Sequence, residues 1–260
     1  MNFWTLMIKK DDVLISAAFK CRKFKNIVSN LYTFLSYRNT IDNNNRLSVF
    51  VVLNGPSIND QPLELLTGKD VIFANRGFKH PSYSKIKPKY HVFVDPKILD
   101  GTWPTTWFDE IWEKSESTKI VLPLEWKSKP IFKKYVEKVV WYNFSIPFYL
   151  LGVSGACFDF AIGQKYKNIY FNGFDGTYLA YELIKSSQTH FYGSDNELEG
   201  KTCQQFEVDL YMFSRHLRDL NKFAKYVKKR GIHIVNLTPG GLLDMFDRED
   251  FETVIRKQNE

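Results

Sequence analysis

From residue 47 onward, short apolar runs rich in β-branched residues alternate with longer amphipathic stretches. The runs over 47–53, 70–74, 90–94, 119–122, 139–142, 168–172 and 233–237 have the length and composition of buried strands. Between them the spacing predicts a short helix near 62–67, a Trp-rich helix over 106–115, a helix over 154–164 with small residues on one face, and a long amphipathic helix over 206–229. Residues 81–89 read as a basic loop, and 176–204 as a polar, aromatic and irregular stretch. No internal repeat or low-complexity segment interrupts the alternation. Strands that alternate with helices imply a mostly parallel sheet with helices on both faces. The expectation is therefore an α/β fold in a single domain over 47–260.

The first 46 residues break this pattern. Over 1–38, apolar positions such as Phe3, Trp4, Leu14, Ile15, Phe19, Ile27, Val28 and Phe34 recur at helical spacing, interleaved with Lys9, Lys10, Lys20, Arg22, Lys23, Lys25 and Arg38. An interfacial amphipathic helix on an anionic membrane needs that interleaving. A helix or pair of helices packed on the main domain would show the same periodicity, and both readings stay open. Residues 39–46, with three consecutive Asn, read as a polar linker. No run reaches the ~18 apolar residues of a spanning helix. Lys9, Lys10, Asp11 and Asp12 interrupt what would be the core of a signal peptide.

In parallel sheets, ligands bind beyond the carboxyl ends of the strands. Here those ends carry Asn54-Gly55-Pro56-Ser57, Asn75-Arg76, Asp95-Pro96, Gly173-Phe174-Asp175 and Thr238-Pro239-Gly240-Gly241. In the first turn, Gly55 permits close approach of the backbone to a ligand and Pro56 fixes the exit. Ser57 and Asn59 are placed to cap the following short helix, whose positive end would face an anion. The turn is neither a G-x-G-x-x-G fingerprint nor a P-loop, and an ordinary turn would use the same residues. In the irregular stretch, Tyr178, Tyr181, Tyr192 and Lys185 could neutralise a departing phosphate. His190 there is the side chain best matched to general-base work near neutral pH. Asp175 competes for that role only if burial raises its pKa.

The 260 residues carry a formal charge of +7, which favours anionic partners such as nucleotide phosphates or anionic lipid. Aromatics reach 16%, suiting carbohydrate or membrane-interface contact, although they also serve as core. Cys21, Cys157 and Cys203 form no CxxC and read as reduced thiols of a cytosolic protein, without a disulfide frame or zinc site. There is no D-x-D; Glu207-Val208-Asp209, at the start of the 206–229 helix, comes nearest. The expectation is chemistry without a metal or other cofactor.

Leu53-Asn54-Gly55-Pro56-Ser57, Phe73-Ala74-Asn75, Ser154-Gly155 before a helix, Ile169 to Asp175, Thr189-His190-Phe191-Tyr192-Gly193 and Thr238 to Leu243 occur in one order. That order resembles the bacterial lipooligosaccharide sialyltransferases of glycosyltransferase family 42, over about residues 47–246. The resemblance implies a single Rossmann-like domain with a lid at about 176–204 that uses CMP-sialic acid, inverts the anomeric centre and needs no metal. It places Asn54 and Ser57 on the nucleotide or its phosphate, Asn75 on the cytidine side, and Ser154 and Gly155 in the donor pocket. His190 would deprotonate the acceptor hydroxyl, and Tyr178 and Tyr181 would hold the leaving phosphate. The remaining strand-end residues, Gly55, Pro56, Asp95, Gly173, Asp175, Thr238, Pro239 and Gly240, complete the expected nucleotide and donor site. Two departures stand out. Leu151-Gly152-Val153 replaces the stretch where the family carries an Arg for the sialate carboxylate, and Leu53 replaces a Gly.

The function expected is an inverting, metal-independent glycosyltransferase at the cytoplasmic face of a bacterial inner membrane. Its partners would be a nucleotide-sugar donor and a glycan or lipid-linked acceptor, with no nucleic acid, and a homo-oligomer is admitted. Two alternatives stay open. A pyrophosphoryl transferase of the pterin pyrophosphokinase-like type would gather Asp95, Asp175 and Asp209 around Mg²⁺. A non-catalytic nucleotide- or glycan-binding protein would keep the pocket without the chemistry.

Overall fold

The structure, a computed structural model, describes residues 47–144, 152–176, 190–193 and 202–259 together with the single positions 13, 17 and 41. The expectations for the segment 1–38 and its linker, for Tyr178, Tyr181 and Lys185, and for most of the 176–204 lid lie outside the described residues.

Among those residues the seven apolar runs form the strands β1 (Ser48–Val52), β2 (Val71–Ala74), β3 (Tyr90–Val92), β4 (Lys119–Pro123), β5 (Val140–Tyr142), β6 (Asn168–Asn172) and β7 (His233–Asn236), and two charged residues add an eighth, β8 (Asp247–Arg248). They make one sheet in the order β5-β4-β3-β2-β1-β6-β7-β8, parallel at every pairing. β1 to β5 step outward on one side and β6 to β8 on the other. The order thus reverses between β1 and β6, where Val52 pairs with Asn172 and both strands end level. In open α/β sheets this reversal opens the crevice that binds ligands.

The helices are α1 (Tyr83–Ile86), α2 (Trp107–Lys114), α3 (Gly152–Gly163), α4 (Cys203–Lys228) and α5 (Phe251–Lys257). On one face of the sheet, Phe50, Val52, Phe73 and Phe93 pack with Phe108 of α2, Phe132, and Val254 and Ile255 of α5. On the other, Val49, Val51, Ile72 and Val92 pack with Phe158 and Phe160 of α3 and Phe223 of α4. Both strand faces are covered, so the strands read as continuous apolar runs rather than alternating ones. Phe50, Phe73, Phe78, Phe93, Phe108, Phe132, Phe144, Phe158 and Phe160 are all fully buried. Much of the aromatic excess is therefore core. No helix among the described residues is long and apolar enough to cross a membrane.

The sheet expected to be mostly parallel is parallel at every described pairing. Three expectations need correcting. The helix expected near 62–67 is a pair of 3-10 turns, Pro56–Asp60 and Leu63–Leu66, with no side-chain cap on either. Pro56 and Pro62 start the two turns, and Pro62, lacking an N–H, breaks any longer helix between them. The basic loop 81–89 contains the single turn α1, which Lys87 closes in a left-handed conformation. Helix α3 is buried on all sides from Ser154 to Ala161, so its small residues do not mark one face.

Candidate functional site

The chain leaving β1 is held against the chain leaving β6 by its backbone. Leu53 N–H donates to Asn172 O at 2.9 Å, and Gly55 N–H to Gly173 O at 2.8 Å. A Cβ on Gly55 would sit 1.6 Å from Asp175 Oδ2 and 2.6 Å from Gly173 O. Gly173 has φ +70, and a Cβ there would meet Leu53 O at 2.5 Å and Ile58 Cγ2 at 2.6 Å. The sequence reading gave Gly55 to a ligand. The structure gives its missing side chain to Asp175 and Gly173, because two turns share the space of one.

This close approach half-buries Asp175. Burial raises its carboxyl above the usual range, and the Ser57 hydroxyl and amide facing it pull the other way. Its Oδ2 is buried with no hydrogen-bond partner. The condition under which Asp175 competes as a base is thereby met. Beside it, Asn54 Nδ2 donates to Ala74 O at 3.1 Å, tying the β1 turn to the end of β2, while Asn54 Oδ1 is left buried and unpartnered. Asn75, next along, has φ +49 and a buried, unpartnered Oδ1 of its own. Buried polar atoms without partners are uncommon in native proteins and each calls for an explanation. Three of them on neighbouring strand ends make this edge the candidate site.

The end of β7 closes the other side. Thr238 Oγ1 accepts from Phe174 N–H at 3.2 Å, and Gln61 Nε2 donates to Leu237 O at 2.8 Å while Gln61 Oε1 accepts from Asn172 Nδ2 at 3.1 Å. Arg248 donates to the carbonyls of Thr238, Gly240 and Gly241. Pro239 and Gly240 themselves are exposed. Helix α3 reaches the amino edge at its end, where β6 begins, so its start with buried Ser154 and Gly155 points to the carboxyl edge. Asp95 stands two strands from β1 at the end of β3, where its Oδ1 accepts from Lys97 N–H at 3.1 Å. That carboxylate caps its own turn.

His190 reaches the site through its neighbour. Phe191 N–H donates to Asn54 O at 3.0 Å, and Asn59 Nδ2 donates to Phe191 O at 3.0 Å. Asn59 was expected to cap a helix; it instead fastens this segment. The His190 and Gly193 backbones bond each other across a tight turn. Phe191 packs on His80 with ring centroids 5.3 Å apart, and His190 stacks on Tyr192 at 4.9 Å. The Arg76 guanidinium carbon lies 5.3 Å from the Tyr192 ring, 5.3 Å from Trp103 and 5.6 Å from Trp107. The His190–Gly193 segment is thus docked at both the β1 and the β2 ends.

Among the described residues, no three or more His, Cys, Asp or Glu side chains group as a metal site. Asp95, Asp175 and Asp209, the carboxylates a pyrophosphoryl transfer would need, are not gathered at one point. Cys157 is a buried free thiol whose pKa burial pushes up, and Cys203 is free and exposed.

Sequence reasoning missed the Arg76 clamp and the Gln61 tie, because each joins residues far apart in the chain, and the Arg248 brace, because it bonds backbone carbonyls that any residue carries. It also passed over His91 in β3. A His inside an otherwise apolar, doubly covered strand is itself a signal.

No protein-family model matches the chain, and no curated protein matches it in sequence. Among solved structures it is similar to the Campylobacter jejuni sialyltransferase CstII in complex with a substrate analogue, cytidine-5′-monophosphate (18% identity, TM-score 0.46, 79% of this chain and 85% of that one). It is similar also to CST-II with a trisaccharide acceptor and CMP (19%, TM-score 0.44, 77% and 84%). A third is the monofunctional α-2,3-sialyltransferase Cst-I of C. jejuni (14%, TM-score 0.46, 86% and 96%). At these identities the likeness is one of fold alone.

Proposed function

We propose that the carboxyl edge between β1 and β6 binds a nucleotide-activated sugar, and that the chain is an inverting glycosyltransferase with a CMP-sialic acid-type donor. The observation that carries this reading is the docking of the His190–Gly193 segment on the β1 turn through Phe191 N–H and Asn54 O. It fastens the segment that carries His190 to the turn that carries the unpartnered Asn54 amide oxygen, at the sheet's switch point. In the reaction, an acceptor hydroxyl oxygen bonds to the anomeric carbon from the face opposite the nucleotide. The bond from that carbon to the phosphate oxygen breaks, and its electron pair leaves with the nucleoside monophosphate. His190 takes the proton from the acceptor hydroxyl, a role typically worth 10²–10⁴-fold.

Asn54, Ser57 and Asn75 would hold the nucleotide, with Ser154, Gly155 and Thr238 lining the donor pocket. Tyr178 and Tyr181 would meet the leaving phosphate. The acceptor in this reading is a surface glycan or lipid-linked saccharide. Residues 1–38, with their basic and aromatic interleaving, would lie on an anionic membrane surface; deleting them would then abolish binding to anionic vesicles and leave activity in solution intact.

The test is turnover of a panel of nucleotide sugars, CMP-sialic acid among them, with and without EDTA. The reading expects release of CMP that EDTA does not affect. Turnover of a nucleoside triphosphate that EDTA abolishes would replace it with pyrophosphoryl transfer. Binding of CMP with no turnover of any donor would leave a binding protein.

A further inference from the structure

His91 is fully buried in the middle of β3, between Phe78, Phe93 and Tyr83. An apolar side chain would fill that space at lower desolvation cost, so the imidazole is there for its nitrogens. Both are used. Nε2 lies 2.8 Å from the backbone oxygen of Asn75, and Nδ1 lies 3.0 Å from the Tyr83 hydroxyl. A carbonyl oxygen only accepts, so Nε2 carries the hydrogen and donates. Nδ1 is then the acceptor for the Tyr83 O–H. Burial drives the ring's pKa down to about 3, against the opposing pull of the Asn75 carbonyl. It stays neutral, and this single tautomer holds.

The carbonyl it grips is not an ordinary one. Three non-glycine residues have positive φ among those described: Asn75, Lys87 and Lys165. Lys87 and Lys165 precede β3 and β6 at the amino edge of the sheet. Asn75 alone of the three sits at the carboxyl edge, beside Asn54, with a buried Oδ1 lacking a partner. Backbone held in a sparsely populated region persists only when its surroundings fix it, and such positions cluster at binding sites.

We propose that His91 is the positioning residue of the nucleotide site. Its Nε2–H holds the Asn75 carbonyl, and with it the left-handed turn that aims the Asn75 amide and sets the Arg76 guanidinium at the pocket's edge. The proposal rests on the nucleotide reading above. It commits His91 to acting through Asn75 without touching the ligand. Tyr83, on α1, belongs to the same device because its hydroxyl selects the tautomer.

The experiment uses the full chain with CMP as probe. In ligand-free protein, NMR should show a slowly exchanging Nε2–H at His91 with scalar coupling to the Asn75 carbonyl carbon. His91→Phe keeps the ring and removes the donor. It should move the Asn75 carbon shifts away from left-handed values and raise the CMP Kd about tenfold, as when the competent fraction falls to about a tenth. Its Tm without ligand should fall, because the Tyr83 hydroxyl and the Asn75 carbonyl both lose a buried partner, and His91→Gln should recover it in part. His91→Gln, whose amide can place a donor near the Nε2 position, should recover most of the affinity. If His91→Phe does not fold, Tyr83→Phe carries the test through mixed His91 tautomers and a smaller rise in Kd. Unchanged Asn75 shifts with unchanged affinity would overturn the proposal. So would a loss of affinity that follows the loss of Tm and is not recovered by Gln. Should the wild-type chain not bind CMP at all, the nucleotide reading fails, and His91 stands or falls on the Asn75 resonances alone.

Discussion

Gly55 shows at the scale of one residue how the site constrains the chain. Its φ of −64 suits any residue, so the backbone does not demand glycine. The space does, since a methyl would overlap Asp175 Oδ2 at 1.6 Å and crowd Gly173 O at 2.6 Å. Gly55→Ala should therefore destabilise by roughly 1–3 kcal/mol or more, the range of overpacked sites. Urea unfolding checks this, and adding Asp175→Ala should recover only part of the loss, because the Gly173 carbonyl remains. The same residues frame the choice of base. His190→Ala should lower kcat on the order of 10²-fold or more, with nucleotide affinity nearly unchanged and the acidic limb of the pH–rate profile removed. If instead His190→Ala keeps that limb and Asp175→Asn is inactive, the buried carboxyl is the base. Which residues end the strands was legible from the sequence, because Asn, Gly and Asp punctuate apolar runs. What each touches was not: Gly55 faces Asp175, and Asn59 faces Phe191.

The elements followed the hydrophobic pattern wherever an apolar run was long enough to be buried on both sides. Strands 47–53, 70–74 and 168–172 appear with their ends within two residues of expectation. The pattern failed at the carboxyl terminus. β8 is two charged residues, Asp247 and Arg248, and carries no apolar signal. Helix α5 did carry one. Asp250 caps it by accepting from Thr253 N–H at 2.8 Å, and Phe251, Val254 and Ile255 follow at helical spacing. Between elements, the bonds that fasten the docked segment 190–193 to the β1 side include that from Phe191 N–H to Asn54 O and that from the Asn59 side chain to Phe191 O. Such a bond is worth about 0.5–1.5 kcal/mol net. Asn59→Ala should leave the unfolding midpoint almost unchanged and raise the donor KM by up to about tenfold, because the segment must be ordered anew at each binding event. A KM equal to wild type would mean that the Phe191 N–H to Asn54 O bond suffices by itself.

Across the whole molecule, the buried histidines set the response to acid. His91, His80 and His216 all have pKa values lowered chiefly by burial, His91 to about 3. When pH falls below about 6.5, the unfolded chain takes up protons at these positions more readily than the native chain does. Stability should therefore fall with falling pH, by at most about 1.4 kcal/mol per pH unit for each fully effective histidine. Asp175 acts in the opposite sense. Its raised pKa means that the native state binds a proton more tightly than the unfolded one, so its contribution is present at low pH and lost as pH rises through the raised value. Asp100, Asp109 and Asp250 have lowered pKa values, so their contributions fade only as pH falls below about 4. In the interval from pH 7 to 5 the histidines and Asp175 thus pull in opposite senses, and comparison with His91→Phe isolates His91. The urea midpoint should decline across the interval, and His91→Phe, which removes the most perturbed ring, should flatten the decline. Equal slopes in the two proteins would mean that His91 takes up its proton in the native state as readily as in the unfolded one, becoming an imidazolium over this interval. That state could not leave Nδ1 free to accept the Tyr83 hydroxyl, and the fixed tautomer at the Asn75 carbonyl would go with it.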